Sequence, residues 1–303
     1  MDKQQYAQQL QLLTKAPVLV DAPMSSYTTW KIGGPADLLL QPADTDELAA
    51  IMAYLHEHDL PWIAIGNGSN LLVGDKGIRG AVIRTANCLT GTRWLGDTVT
   101  AGAGVLLPRL AIEAAERSLG GLAFAGGIPG SIGGAVRMNA GAYGYNIGPL
   151  VTAIEVVEYN GHKRTIGAEE LTFAYRNSNL FDVPAIVANV TLQLPACPRE
   201  ESLAQIRHYN QQRCLKQPLE FPSCGSVFRN PEGDHAGRLV EVTGLRGLRV
   251  GNAQVSVKHG NFIVNLGGAT AADVRGVIEE VQQRVYANTG FKLEPEVKMI
   301  GEF

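Results

Sequence analysis

Residues 126–144 read GGIPGSIGGAVRMNAGAYG, and seven of these nineteen positions are glycine. Glycine lacks a Cβ and reaches backbone conformations that other residues avoid. The segment is therefore expected to be neither a regular helix nor a strand interior. Such a backbone can wrap closely around a rigid ligand and turn successive N–H groups toward it. A shorter stretch of the same kind, GNGSN at 66–70, follows the apolar run at 62–65. Taken singly, each stretch also reads as a glycine-rich turn. Two such cradles in one half of a chain point instead to a large phosphate-bearing cofactor.

Outward from these cradles the chain alternates between strand and helix patterns. Tyr6, Leu10 and Leu13 recur at helical spacing near the start. A strand is expected at 36–41. Asp44, three residues before Glu47, has the spacing of a helix N-cap, and Leu48, Ile51, Met52 and Leu55 follow on one face. Pro61 ends that helix, and short strands are expected at 62–65, 71–73 and 81–84. A second unit begins near Thr98, with an alanine-rich helix at 108–119 ahead of the glycine segment. Strands follow at 153–159, 163–166 and 185–194, the first two joined by Asn160-Gly161, a hairpin signal. Pro195, Pro198 and the charged run at 199–201 mark a boundary. Beyond it, helices are expected at 202–215 and 270–288, the second with Val274, Val277, Ile278, Val281 and Val285 on one face. Mixed strands and helices in this order predict an α+β protein.

Composition narrows the function classes. The 303 residues suit two or three domains, and with 45% hydrophobic and 18% charged residues they can build a substantial core. A net charge of −3 argues against a nucleic-acid binder. No apolar run approaches the length of a membrane span, and the N-terminal MDKQQYAQQLQLL lacks the apolar core of a secretion signal. Cys88, Cys197, Cys214 and Cys224 show no CxxC spacing and read as free thiols in a reducing cytoplasm. The six histidines pair at no metal-ligand spacing, so no metal site is expected. Cys224 has no base beside it in sequence and reads as packing rather than as a nucleophile.

Four stretches, taken together and in order, carry a specific resemblance. They are TTWKIGGPA at 28–36, GNGSNL at 66–71, the glycine segment, and the polar clusters YRNS at 175–178, CGSVFRNP at 224–231 and LEPEV at 293–297. The set resembles the UDP-N-acetylenolpyruvoylglucosamine reductases over about residues 27–301. That resemblance implies an FAD-binding half of the vanillyl-alcohol-oxidase type, made of two α+β subdomains, plus a separate α+β substrate-binding domain. In this chain the subdomains would be 1–90 and 91–196, and the substrate domain 197–290. The tail 291–303 would return to the flavin half. Only residues 181–184 separate the YRNS region from the next strand. This is the spacing of the compact second type of the family, without the loop that carries a tyrosine over the substrate.

The resemblance also implies a reaction. NADPH gives a hydride to a non-covalently held FAD, and flavin N5 gives it to an enolpyruvyl double bond, leaving an enolate-like charge beside the substrate carboxylate. That charge needs stabilisation and a proton. Ser226 matches the proton donor, a weak acid that suffices against a strongly basic carbanion when well placed. Arg176 matches the cation that polarises the carboxylate, and Glu296 the third residue, orienting the arginine or relaying protons. Gly66, Asn67, Gly68, Ser69 and Asn70 are expected at the pyrophosphate. Gly130, Ser131, Gly134, Ala135 and Gly141 are expected around the ring and ribityl chain. Residues 66–71 lack the GxGxxG spacing of the dinucleotide fold. The substrate, UDP-N-acetylglucosamine enolpyruvate, carries a diphosphate and a carboxylate. Arg213, Lys216, Arg229, Asn230 and Lys258 are the candidates to bind it, with Gln254 and Asn261 for sugar or uracil. No oligomer is required.

Two other readings remain open at the level of sequence. An FAD oxidase or dehydrogenase of the same fold would share both cradles but not the CGSVFRNP and LEPEV clusters. A non-catalytic nucleotide-binding module would not need Arg176, Ser226 and Glu296 together.

Overall fold

The computed structural model describes residues 2–303, which group into two compact units. The first holds the residues up to Val20, Leu38–Asn67 and Gly80–Gln212. The second holds Asp21–Asp37, Gly68–Arg79 and Arg213–Phe303. No helix among the described residues is long and apolar enough to cross a membrane.

The first unit is built on a five-stranded antiparallel sheet. Its order is Lys163–Gly167, Val151–Glu158, Ala185–Gln193, Thr98–Gly102, Thr92–Leu95. The hairpin expected at Asn160-Gly161 forms, with Gly161 left-handed at φ +85° and Val157 opposite Lys163. The strand Trp62–Ile65 pairs in parallel with residues 81–84. Its helices are α1 (Lys3–Gln11), α2 (Thr45–Glu57), α3 (Leu107–Glu116), α4 (Ile132–Arg137) and α5 (Arg199–Lys216), the last running on past Gln212. Asp44 caps α2 as its spacing predicts, accepting the Glu47 N–H at 2.9 Å. Leu48, Ile51, Met52 and Leu55 of α2 are buried in one apolar core with Leu110, Ala114, Ile154 and Val190. The 3.6-residue period thus delivers one face of the helix to the core.

The glycine segment departs from expectation over Ile132–Arg137, which is an α-helix. Glycine in a helix costs about 1 kcal/mol relative to alanine, but here close packing requires it. The Gly133 N–H donates to Ala103 O at 2.9 Å, and a Cβ on Gly133 would stand 2.8 Å from the Ala103 Cβ. The helix has only six residues. The segment continues as loop and as a small hairpin of Gly141–Ala142 with Tyr145–Asn146.

The second unit packs α6 (Ala236–Val242) and α7 (Ala271–Thr289) with an antiparallel sheet of Arg249–Val250, Ala253–Val255 and Ile263–Asn265. The five apolar residues read on one face of α7 are all buried. Each such side chain contributes about 1.5–3 kcal/mol on burial. Thr270 accepts the Asp273 N–H at the start of α7. The Asp75 carboxylate takes the next two donors, Ala271 N at 2.8 Å and Ala272 N at 3.0 Å, a favourable place for negative charge. The motif at 28–36 is an anchor. Trp30 is fully buried, its indole N–H donating to Ile263 O at 2.8 Å and its carbonyl accepting from Asn265 Nδ2 at 3.0 Å.

Residues of the C-terminal segment pair in parallel with residues far back in the chain, Lys298–Ile300 beside Leu71–Val73. Around this pair the backbone segments approach so closely that no side chain fits. A Cβ on Gly34 would lie 2.1 Å from Asp75 O, on Gly74 2.1 Å from Glu302 O, and on Gly77 1.8 Å from Pro35 O. Gly77 also has φ +88°. Gly77→Ala is therefore expected to lower stability by about 2–4 kcal/mol. Gly91→Ala, where a Cβ meets nothing within 4 Å, is expected to change it by less than about 0.5 kcal/mol. Denaturant midpoints of the two variants against the parent check this; equal shifts would refute the steric reading.

Candidate active site

Turn geometry shapes the two cradles. After the strand Trp62–Ile65 the chain reaches Gly66, where a Cβ would stand 2.4 Å from Ser131 Oγ. Asn67 Nδ2 donates to Pro129 O at 2.7 Å. These contacts bring the start of the first cradle against the second within the first unit. Ser131 Oγ is buried and has no hydrogen-bond partner among the described residues. A buried hydroxyl without a partner is costly, and a bound ligand or water would relieve that cost. Gly134 is exposed, with only Ser131 Oγ, at 3.9 Å, near its Cβ position. Ala135 N donates to Ser131 O at 2.9 Å, and Gly130 O accepts from Leu107 N at 2.9 Å. Gly141 has a different reason, since a Cβ there would meet Tyr145 O of its own hairpin at 2.4 Å.

The remainder of the first cradle belongs to the second unit. Gly68 is left-handed at φ +65°, and a Cβ would stand 2.2 Å from Tyr27 O. Among the described residues, no backbone carbonyl accepts the N–H groups of Asn67, Gly68 and Ser69. Asn70 Nδ2 donates to Glu296 O at 3.2 Å, and Asn70 O accepts from Lys298 N at 3.0 Å. The last cradle residue is thus hydrogen-bonded to the segment that carries Glu296.

Arg176 sits at the second position of a two-residue hairpin turn between Phe173–Ala174 and Asn177–Ser178. Its φ is +54°, a conformation where glycine or asparagine is the usual occupant. The guanidinium lies 5.2 Å from the centre of the Tyr175 ring. Two bonds tie the hairpin to the glycine segment: Asn139 Nδ2 to Ala174 O at 2.9 Å, and Ser178 Oγ to Arg137 O at 2.8 Å. The turn that carries the arginine is thereby located relative to the second cradle. Beyond it, residues 179–181 form a single 3-10 turn before the strand Ala185–Gln193.

Ser226 and Glu296 lie in the second unit on neighbouring segments. Val227 O accepts the Glu296 N–H at 2.7 Å, Arg229 N donates to Glu294 O at 2.9 Å, and Phe228 forms a bridge with Pro295. Left-handed Gly225, φ +83°, introduces Ser226. Cys224 is buried in the apolar core. Burial foremost, and then the negative charge of Glu296, push its thiol up. A thiol so raised stays protonated and is no nucleophile at neutral pH.

Ser226 opens onto a cavity of about 530 Å³ within the second unit. Lys216, Asn230, Lys258 and Asn261, all expected to meet substrate, also line it. Lys258 Nζ donates to Cys214 O at 2.7 Å. Neither lysine has a carboxylate partner among the described residues. Two arginines on the wall are paired, Arg246 with Glu241 at 2.8 Å and Arg238 with Asp234. Arg213, Arg229 and Gln254 do not line the cavity, and Gln254 Nε2 is bonded to Gly247 O at 3.1 Å. His235, Arg238, Arg246 and His259 line it and were not singled out by spacing. Two of them ride on or beside α6, whose seven residues are too few to show a period. His259 Nδ1 accepts the Asn261 N–H at 3.1 Å, so the neutral ring carries its proton on Nε2. Burial, reinforced by the Arg246 guanidinium, holds this imidazole below its ordinary value. Among the described residues no cluster of three or more His, Cys, Asp or Glu is placed to hold a metal ion.

Comparison with known proteins is consistent along the whole chain. Residues 36–167 match the family described as FAD binding domain, and residues 217–300 match UDP-N-acetylenolpyruvoylglucosamine reductase, C-terminal domain. A curated UDP-N-acetylenolpyruvoylglucosamine reductase from Heliobacterium modesticaldum is 48% identical, over 92% of this chain and 90% of its own length. One from Desulforamulus reducens is 45% identical over 98% of each. The crystal structure of UDP-N-acetylenolpyruvylglucosamine reductase from Thermus caldophilus superposes with a TM-score of 0.80 at 39% identity. It covers 93% of this chain and 99% of that one.

The depressed imidazole of His259 sets a pH dependence of stability. The ordinary histidine value is about 6.5, so as pH falls below it the unfolded chain takes up a proton that the folded state resists. This contribution is present above pH 6.5 and is lost as pH falls through the lower folded value. The parent should therefore lose more denaturant resistance between pH 7.5 and 5.5 than His259→Gln. Equal losses in the two proteins would show that another group governs the acid limb.

Proposed function

The chain belongs to the UDP-N-acetylenolpyruvoylglucosamine reductase family, and from that premise we propose that it reduces UDP-N-acetylglucosamine enolpyruvate to UDP-N-acetylmuramate, with FAD and NADPH, in peptidoglycan synthesis. The observation that carries this reading is the setting of Ser226. Its hydroxyl lines a cavity with Lys216 and Lys258, and its segment is hydrogen-bonded to that of Glu296. A proton donor beside cations suits an anionic substrate that must be protonated on carbon.

The residues of the two cradles fit FAD. Ser131 Oγ is a buried donor in want of an acceptor, and Gly66 and Gly134 keep the space beside it clear. The N–H groups at 67–69 suit the diphosphate. Asn70, Gly130, Ala135 and Gly141 complete the two cradles. No histidine or cysteine lies in 66–70 or 126–144, in keeping with a flavin held without a covalent bond. When bound, FAD supplies hydride relay from NADPH to the enolpyruvyl double bond.

The chain's own groups manage the charge that results. Arg176 polarises the substrate carboxylate and lowers the energy of the enolate-like charge. Ser226 Oγ donates a proton to the carbanion carbon. Glu296 orients the arginine or relays protons to Ser226. Lys216, Lys258 and Asn230 hold the diphosphate. Residues 1–90 and 91–196 act as the flavin subdomains and 197–290 as the substrate domain, with 291–303 returning to the flavin half. The protein works in the cytoplasm, and no oligomer is needed for the chemistry.

The direct test is NADPH consumption that depends on the enolpyruvyl nucleotide. A yellow protein that oxidises NADPH equally well without that substrate would overturn the reading. Gly66→Ala is expected to purify with less flavin, because the new methyl group meets Ser131 Oγ; undiminished flavin content would remove that cradle from the site. Ser226→Ala separates the two half-reactions. Its bleaching by NADPH should stay near the parent rate, while reoxidation by substrate slows by about 10²–10⁴-fold. Reoxidation within tenfold of the parent in stopped flow would dismiss Ser226 as donor.

A further inference from the structure

Among the described residues no side-chain hydrogen bond fixes Ser226, so its position rests on the backbone that carries it. The next two residues, Val227 and Phe228, are buried, and their peptide groups must be satisfied inside the protein. One side of this stretch is bonded to residues 294–296. The other side meets no full strand. A single residue, Asn261, supplies all three bonds there. Asn261 O accepts the Val227 N–H at 2.9 Å. Asn261 Oδ1 accepts the Phe228 N–H at 2.9 Å, and Asn261 Nδ2 donates to Phe228 O at 2.8 Å. Its carboxamide thus imitates the peptide group of an absent neighbouring strand, in the two-way pairing of an antiparallel ladder. Asn261 is itself buried, and its own N–H is held by His259 Nδ1.

We propose that Asn261 is a positioning residue for the proton transfer: its carboxamide holds the backbone of Phe228 so that the Ser226 hydroxyl meets the substrate carbon. The amide spends one N–H and one oxygen lone pair on Phe228, which ties it to the segment of Ser226. Because Val227 O also holds the Glu296 N–H, the same clamp sets the spacing between Ser226 and Glu296. The proposal rests on the reading of Ser226 as donor. Aspartate at 261 would keep the acceptor for Phe228 N and turn a second oxygen toward Phe228 O. Alanine would remove both side-chain bonds.

The test uses flavin-loaded Asn261→Asp and Asn261→Ala beside Ser226→Ala. In stopped flow, bleaching by NADPH should remain within about threefold of the parent, and substrate binding to the oxidised protein likewise. Reoxidation should slow by at least tenfold, more in the alanine variant. Amide hydrogen exchange gives an independent reading without turnover. The peptide covering 224–230 should exchange at least tenfold faster in both variants, while peptides from α7 stay as in the parent. Unchanged exchange at 224–230, or equal slowing of both half-reactions, would overturn the proposal. So would failure of both variants to fold, since Asn261 would then determine the stability of the whole unit. If Ser226→Ala reoxidises normally, the donor reading fails by itself. The exchange result still decides whether Asn261 clamps the segment.

Discussion

The second unit's site depends on the hydrogen bond from Glu296 N to Val227 O. It joins two stretches that lie far apart in the chain, and it does so with main-chain atoms. Its neighbours share the load. Arg229 N reaches Glu294 O from one end, and Asn70 Nδ2 reaches Glu296 O from the other. The parallel pairing of Lys298–Ile300 with Leu71–Val73 then leads the tail away from the site in a defined direction. Groups carried on such a lattice are held in place by the backbone, and preorganisation of this kind is how active sites lower a barrier.

Electrostatics here are local rather than global. The chain is acidic overall, yet the cavity wall beside Ser226 presents two lysines without carboxylate partners among the described residues, while the arginines near them are paired with Glu241 and Asp234. The opposite sign is kept a short way off. Glu296 lies close enough to Cys224 to raise its thiol. Net charge reports on solubility and long-range attraction; it says nothing about this arrangement.

Much of the fold was legible because local rules and tertiary context agree. Asp44 caps α2, Asn160-Gly161 turns a hairpin, and the apolar face of α7 is buried, each from a pattern a few residues long. The glycine segment was legible as a close-approach element but not as a partial helix, because the contact with Ala103 that demands Gly133 comes from elsewhere in the chain. The strand Thr92–Leu95, the helix α6 and the strands of the small sheet are two to seven residues long, too short for any period to emerge. At the site, residue types carried the resemblance to a family. They could not reveal who bonds whom. An asparagine reads as a ligand contact or as a backbone clamp with equal ease, and only its neighbours in space separate the two.

The left-handed turn at Arg176 carries a consequence for engineering. A non-glycine residue at φ +54° stores conformational energy, of order 1 kcal/mol, and a bulky cation is a poor tenant for it. Glycine would relax the turn and stabilise the fold. A selection that rewards heat resistance alone would accordingly drift toward replacing the arginine and, on the role proposed for Arg176, would harvest sturdy, inert protein. Library designs for this chain should hold position 176 constant and seek robustness elsewhere, since here comfort of the backbone and the chemistry proposed for the side chain pull in opposite directions.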